Sequence, residues 1–317
     1  MTPPELSIII TSYDTKELTL ECLDAVFANT NGCPYEVIVV DNGSSDGSAE
    51  AIAERYPQVK LLALGENLGF ACANNVAAKS ATAEYVLLLN PDTVVLGQAI
   101  QNLLAFMKAH PEAGICGGRT VFRDRTLNPT SCFGMPTPWS MLSRASGLSA
   151  LFRYNSFFDP ESLGRWKRDS VREVDVIAGC LLLMRRELWN ELGGFDEDFF
   201  MYGEDVDLSM RVIKKGWKCF VCPDAEIVHL GGGSVKVRSA RRVNLFQAKA
   251  LLFYKHWSPP VARLGVWTLD MWALTRTIGW WFKSRLRAEA VDDYVTWRET
   301  YKRRREWRSR PPTFSVS

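Results

Sequence analysis

Long apolar runs are missing from this 317-residue chain. The first apolar stretch, residues 7–10, is far shorter than a signal-peptide core, and Pro3, Pro4 and Glu5 precede it. Export by that route is therefore not expected, and a cytoplasmic location is. A dominant charge is missing too: 38 Lys and Arg against 36 Asp and Glu leave a net +2, too little to mark a nucleic-acid binder. Histidine is scarce, at three. The eight cysteines follow no small secreted framework, and several lie inside apolar runs where cysteine acts as a small hydrophobe. One CxxC exists, Cys219 and Cys222, with no second pair to complete a zinc site. No GxGxxG follows the first apolar run, which argues against a dehydrogenase. The Gly-rich opening with Arg and Lys typical of sugar nucleotidyltransferases is absent as well. There is no internal repeat or low-complexity tract.

What is present reads as an ordinary globular protein, 47% hydrophobic and 23% charged. The length suffices for one large domain or two smaller ones. Short β-branched runs, LSIII, EVIVV, VKLLAL and EYVLLL, alternate with helix-like stretches at residues 16–28, 48–56 and 70–80. Apolar runs of this kind imply strands covered on both faces, and the alternation predicts a doubly wound α/β sheet. Another helix is expected over 99–109. The pattern then loosens through Pro129, Pro136, Pro138 and Gly147, so residues 123–172 read as an insertion or flexible loop. Order returns with VDVIAGCLLLMRRELW and GWKCFVCPDAEIVHL, and a helical tail begins near Ser239. This gives a catalytic domain over 1–238 and a C-terminal helical region over 239–317.

In open α/β sheets ligands settle beyond the carboxyl ends of the strands, so the polar residues that end each run carry the chemistry. The first run ends in Thr11, Ser12, Tyr13 and Asp14, the second in DNGSSDGS from Asp41, and the fourth in Asn90, Pro91, Asp92 and Thr93. Tyr13 could stack on a base, and Asp41 could accept from a base imide N–H or simply make an Asx-turn. NLGFACANN, from Asn67, opens a helix whose free amides could meet phosphate or ribose. Asp92 could hold a hard cation with diphosphate oxygens and water, or cap a helix. His229, at the end of AEIVHL and before GGGS, is its candidate partner. Lys236 and Arg238 could neutralise a diphosphate beside it. GEDVDLSMRVIKKG starts with three acids and continues as an amphipathic helix. The macrodipole there lowers carboxyl pKa, so an acid at this end is expected to stay ionised and able to accept a proton.

Together SIIITSYD, VIVVDNGSSDGS, NLGFACANN, LLLNPDT, AGCLLLMRRELWNELGGFDEDFFMYGEDVDLSMR and HLGGGS, in that order over about the first 240 residues, resemble glycosyltransferase family 2. The similarity is strongest to its bacterial rhamnosyltransferase-like branch. The resemblance implies a GT-A fold, with a mostly parallel Rossmann-like sheet and helices on both faces. It implies a nucleotide diphosphate sugar donor, inversion at the anomeric carbon and a divalent cation, Mg2+ or Mn2+. By position, Thr11, Tyr13 and Asp41 match nucleoside contacts, and Asn67 with Gly69 the donor-side loop. Asp92 matches the last acid of the metal motif, whose first acid is replaced here by Asn90, so the site carries one less charge. His229 matches a position that completes metal or diphosphate binding. Asp205 matches the general base, with Glu204 beside it, and Ala178 with Gly179 a loop beneath the donor sugar. The branch suggests dTDP-L-rhamnose as donor, with another UDP or GDP sugar as the alternative, and a polyprenyl-diphosphate-linked or other glycan acceptor. The rival of a different class is a catalytically silent nucleotide-sugar-binding scaffold.

Seven of the eleven tryptophans fall at or after Trp257, and residues 276–310 hold eleven Lys or Arg against five acids. Leu264, Trp267, Met271, Leu274, Ile278 and Phe282 recur every three or four residues, as one apolar stripe with Arg276, Lys283 and Arg287 toward the other side. An amphipathic helix lying on the inner face of the cell membrane fits this pattern. A helix packed on the catalytic domain or a homo-oligomer interface is the plainer reading. Asp270 and Arg276 disfavour a transmembrane span.

Overall fold

A computed structural model describes residues 3–231 and 237–309, which fall into two compact units. The first takes in the described residues of Met1–Phe133, Trp166–Phe200 and Glu204–Ser234, and the second those of Gly134–Arg165, Met201–Gly203 and Val235–Ser317.

The first unit is built on a nine-stranded sheet. Its first half is parallel. Strands β1 (Leu6–Ser12), β2 (Tyr35–Asp41), β3 (Lys60–Ala63) and β4 (Tyr85–Leu89) run in the order β3-β2-β1-β4. Helices α1 (Lys16–Asn29), α2 (Ser48–Arg55) and α3 (Phe70–Ala78) supply the crossovers where the apolar periodicity places them. Every residue of β1 is buried. Leu6, Ile8 and Ile10 pack with Cys22, Leu23 and Val26 of α1 and with Ile52 of α2. The alternate side chain Ile9 is equally buried, and α3 packs on β1 and β2. Both faces are covered, which is why the strands read as continuous apolar runs.

The chain leaves β1 through β2 to β3 and then returns to β4 on the other side of β1, so the strand order reverses between β1 and β4. That reversal is where such sheets open a ligand crevice. Beyond β4 the sheet becomes mixed. Strand β10 (Leu181–Arg185) enters antiparallel between β4 and β6 (Ala113–Val121). Strand β11 (Lys218–His229) pairs parallel to β6 and antiparallel to β5 (Thr93–Val95) and β8 (Arg172–Val174). Between β5 and β6 runs α4 (Ala99–Ala109), and α7 (Arg186–Leu192) and α8 (Glu204–Lys214) follow β10. A separate pair joins β7 (Cys132–Phe133) to β9 (Val176–Ile177). The CxxC cysteines are both buried on β11. Among the described residues no three His, Cys, Asp or Glu side chains cluster as metal ligands.

Residues 123–172, expected to be an insertion or flexible loop, carry short helices and strands and are divided between the units. The prolines and glycine that suggest turns are helix punctuation. In α5 (Pro138–Ser146) Pro138 takes the first helical position, and Gly147 stops the helix at φ +86°. Thr137 Oγ1 accepts from the Ser140 amide at 3.0 Å, while the Thr137 amide donates to Ser140 Oγ at 2.9 Å. A short α6 (Leu148–Leu151) follows.

In the second unit α5 joins α9 (Arg238–His256), α10 (Pro259–Leu286), α11 (Val291–Lys302) and α12 (Arg305–Arg308). Met141, Phe246, Phe253, Leu269, Trp297 and Trp307 belong to one core. A side chain at Gly265 would sit 2.7 Å from the Phe253 ring, so α10 needs glycine there to approach α9. The one acid of α10, Asp270, is buried and accepts from Trp307 Nε1 at 3.0 Å and Arg308 Nε at 2.7 Å. No helix among the described residues is long and apolar enough to cross a membrane.

Candidate active site

Strand register brings the sequence-selected residues to one edge of the first unit's sheet. Ser12 pairs with Asp41, and Ile10 with Leu89, so Thr11, Asp41 and Asn90 all stand at the carboxyl ends of neighbouring strands. His229 reaches the same edge because β11 runs parallel to β6, and it pairs with Thr93.

Asp41 serves two purposes. Its Oδ2 accepts from the Ser44 amide at 3.1 Å, the Asx-type turn expected as the plain reading. Its Oδ1 is buried with no hydrogen-bond partner among the described residues, and so is the hydroxyl of Thr11. A buried acceptor left unpaired costs about 1–3 kcal/mol, so the pair is suited to a ligand that donates there. Tyr13 is half-buried beside them. Asp14 locks the two loops together: its amide donates to Ser44 Oγ at 3.0 Å, and its Oδ1 accepts from the Ser45 amide at 2.8 Å.

The Asn67 loop is shaped by a residue that sequence reasoning passed over. Asn42, buried next to Asp41, accepts from the Leu68 amide at 2.9 Å and donates to Asn67 Oδ1 at 3.0 Å. The Gly69 amide donates to that same Asn67 oxygen at 2.9 Å. Asn67 therefore builds the loop. Gly69 has φ +84°, and a Cβ there would clash with the Phe200 carbonyl, whose oxygen accepts from the Phe70 amide at 2.8 Å.

Asp92 and His229 come together as expected, with Nε2 3.4 Å from Asp92 Oδ1 and both side chains buried. Asn90 Nδ2 lies 3.5 Å from the same ring nitrogen, and Thr130 Oγ1 lies 3.4 Å from Nδ1. Asn128 donates to the His229 carbonyl at 2.8 Å. In the stretch read as a loop, Asn128 thus holds the His229 backbone and Thr130 stands against its imidazole; their signal is the Asn-Pro-Thr turn over 128–130. Burial opposes ionisation of Asp92, but the hydrogen bond and charge of His229 outweigh it and hold the carboxyl below its ordinary range. Burial likewise opposes protonation of His229. Cys180 and Asp92 overcome it and push the imidazole up to about 10. A cation bound here would displace that proton. The Gly231 amide donates to Asp92.

The three acids of α8 take three different environments. Asp207 is buried and ion-paired to Arg211 at 2.7 Å, and Arg211 also donates to the Leu192 and Gly194 carbonyls. It is structural. Glu204 is fully buried, with Oε2 unpartnered. Burial first, then the charge of Asp205, push its carboxyl well above the ordinary range. At Glu204 desolvation outweighs the macrodipole that is expected to keep an acid at this helix end ionised. Asp205 is half-exposed. Its Oδ1 accepts from the Val206 amide at 2.8 Å and its Oδ2 from the Gly179 amide at 3.3 Å.

The turn over 178–180 ties these parts together. The Ala178 amide donates to the Ser131 carbonyl at 2.9 Å, and the Cys180 carbonyl accepts from the Asn90 amide at 3.2 Å. One short segment therefore touches both the Asp92 strand end and Asp205. Of the two basic candidates, Arg238 lies in the second unit, ion-paired with Asp293 at 2.8 Å. Lys236 lies outside the described residues.

A model described as Glycosyl transferase family 2 matches residues 7–188, and one described as N-terminal domain of galactosyltransferase matches 167–231. The chain is 34% identical over 214 residues to the N-acetylglucosaminyl-diphospho-decaprenol L-rhamnosyltransferase of Mycobacterium tuberculosis, a match covering 62% of this chain and 66% of that protein. To the O-antigen chain rhamnosyltransferase RfbN of Salmonella typhimurium it is 24% identical over 236 residues, 71% of this chain and 66% of that one. The chain thus spans just under two thirds of the length of these relatives. Among solved structures, the mannosyltransferase PcManGT from Pyrobaculum calidifontis, in complex with GDP-Man and Mn2+, superposes with a TM-score of 0.55 at 22% identity. That match covers 97% of this chain and 84% of that one. The likeness is one of fold, and it is the GT-A fold expected from the motifs. Because the first model spans more than half of the 317 residues, from β1 into α7, the chain belongs to glycosyl transferase family 2.

Proposed function

We propose that this chain is an inverting, metal-dependent transferase of bacterial surface-polysaccharide synthesis. It moves a sugar from a nucleotide diphosphate to a hydroxyl of a polyprenyl-diphosphate-linked or other glycan acceptor at the inner face of the cell membrane. L-Rhamnose from dTDP-L-rhamnose is the first donor to test, since the Mycobacterium tuberculosis relative is named for that sugar and for a decaprenol-linked acceptor. The observation that carries the reading is the separation of roles in α8: Glu204 buried, Asp207 ion-paired, and Asp205 half-exposed and held by the Gly179 amide.

In this reading Thr11, Tyr13 and Asp41 hold the nucleoside, Asn67 and Gly69 shape the donor loop, and Ala178 with Gly179 lie beneath the sugar. Asp92 and His229 would hold a magnesium or manganese ion. The site suits such an ion, since one carboxylate and one imidazole leave most positions to phosphate oxygens and water, and the buried Asn90 Oδ1 is unpartnered. When bound, the ion supplies Lewis-acid stabilisation of the leaving diphosphate. Asp205 takes the proton of the acceptor hydroxyl as its oxygen attacks the anomeric carbon. The bond to the diphosphate oxygen breaks in the same step, with no covalent intermediate.

The test is a panel of nucleotide sugars with manganese and a polyprenyl-diphosphate acceptor, read as nucleotide release. One donor should give acceptor-dependent release. Tight donor binding with no release from any member would overturn the reading in favour of a silent scaffold.

A further inference from the structure

Helix α10 presents its conspicuous apolar stripe outward. The buried side is Ala262, Val266, Leu269 and Ala273, with Asp270 among them. Leu264, Trp267, Leu274, Ile278 and Phe282 are exposed, Trp267 by 53% and Phe282 by 59%. From Leu264 to Phe282 these positions extend over about 27 Å of helix at 1.5 Å rise per residue. Exposed cations stand at both ends, Arg263 at the start and Lys283, Arg285 and Arg287 at the finish. The helix has no acid on this side, because its one carboxylate is turned inward onto Trp307 and Arg308.

At the C-terminal end of the stripe lies a cavity of about 610 Å³, walled by Trp280, Leu286 and Ala290 and by Lys283, Arg287, Glu289 and Asp293. Of its carboxylates, Asp293 is paired with Arg238 at 2.8 Å, while Glu289 makes only a loose, solvent-exposed pair with Arg287 at 3.8 Å that leaves the guanidinium open to a second anion. Lys283 Nζ lies over the Trp280 ring at 4.6 Å.

We infer that this face is a membrane-docking surface that lies in the interface of a bilayer containing anionic phospholipid, with Lys283 and Arg287 receiving a lipid phosphate at the mouth of the cavity. Aromatic and aliphatic side chains enter the acyl boundary while the cations at either end meet headgroups, the arrangement of an interfacial helix. A second copy of the chain fits less well, since two such faces would bring edges of one charge sign together. The inference deepens the proposed membrane location, and vesicle binding is read without sugar transfer, so either can fail alone.

The full chain is to be sedimented with phosphatidylcholine vesicles and with vesicles containing phosphatidylglycerol. Binding should favour the anionic vesicles tenfold or more and weaken with salt. Ile278→Asp should lose at least tenfold on both kinds. Lys283→Glu with Arg287→Glu should lose the anionic preference by about fivefold per residue while binding to phosphatidylcholine vesicles holds. Unchanged thermal midpoints would show that these exposed substitutions leave the fold intact. Equal binding by wild type and both variants would overturn the inference. So would wild-type dimers that Ile278→Asp makes monomeric with no vesicle binding by either.

Discussion

Residues 204, 205 and 207 are three carboxylates within one helical turn, and their surroundings give them different chemistry. Asp205→Asn keeps the shape and the hydrogen bond from Gly179 but removes the proton acceptor. Transfer should fall by about a hundred- to ten-thousand-fold while donor affinity, measured by calorimetry, stays within about twofold. Retained turnover would end the assignment of Asp205 as base. Glu204 makes a prediction about pH. Its folded-state pKa is raised by burial and by Asp205, so its contribution to stability is complete below about pH 4.3 and is lost as pH rises through the folded value. Glu204→Gln, neutral at every pH, should gain on the wild type in urea denaturation from about pH 5 to about pH 8. A constant difference would mean that Glu204 is ionised in the folded protein.

Elements are limited by backbone geometry more than by charge. The loop into α3 turns at Gly69, where φ of +84° and the approach of the Phe200 carbonyl both exclude a side chain. Gly69→Ala should cost about 1–3 kcal/mol of stability. It should also raise KM for the donor more than it lowers kcat, because it displaces a loop proposed to bind and not to react. In the second unit Glu161 is buried against Arg144 at 3.1 Å and Lys249 at 3.9 Å. Burial opposes its ionisation, but Lys249 and Arg144 hold the carboxyl below its ordinary range. Its stabilising contribution is present above about pH 4.3 and is lost as pH falls through the lowered folded value. Removing one member of a buried ion pair strands the other, so Glu161→Ala should destabilise by about 3–5 kcal/mol at neutral pH, and by less in acid.

Across the whole molecule, much of the first unit was legible from sequence. Runs such as EVIVV and EYVLLL announce buried strands, and the polar residue after each run marks the edge where Thr11, Asp41 and Asp92 stand. The motifs named the family for the same reason, since they are the residues at strand ends. Legibility failed where neighbours come from distant sequence. Nothing in LLLMR says that β10 enters antiparallel beside β4, and nothing near His229 points to Thr130 and Asn128 as its supports. Pro138 and Gly147 looked like turn formers because helix caps use the same residues. The stripe on α10 was visible, but periodicity says only that a helix has two faces. Packing against α5, α9 and α11 decided that Ala262, Val266, Leu269 and Ala273 face inward, with Trp272 and Trp280 partly buried against the same core, and that Leu264, Trp267, Leu274, Ile278 and Phe282 stay out.

Local chemistry in the chain therefore determined the strands, the crossover helices, the acids and the family. Tertiary structure alone decided which acid is buried, which is ion-paired and which is half-exposed, because desolvation and charge pairing depend on what stands beside a carboxyl in space. The same holds for α10, whose outward face is set by the volume its neighbours leave and not by the order of its residues.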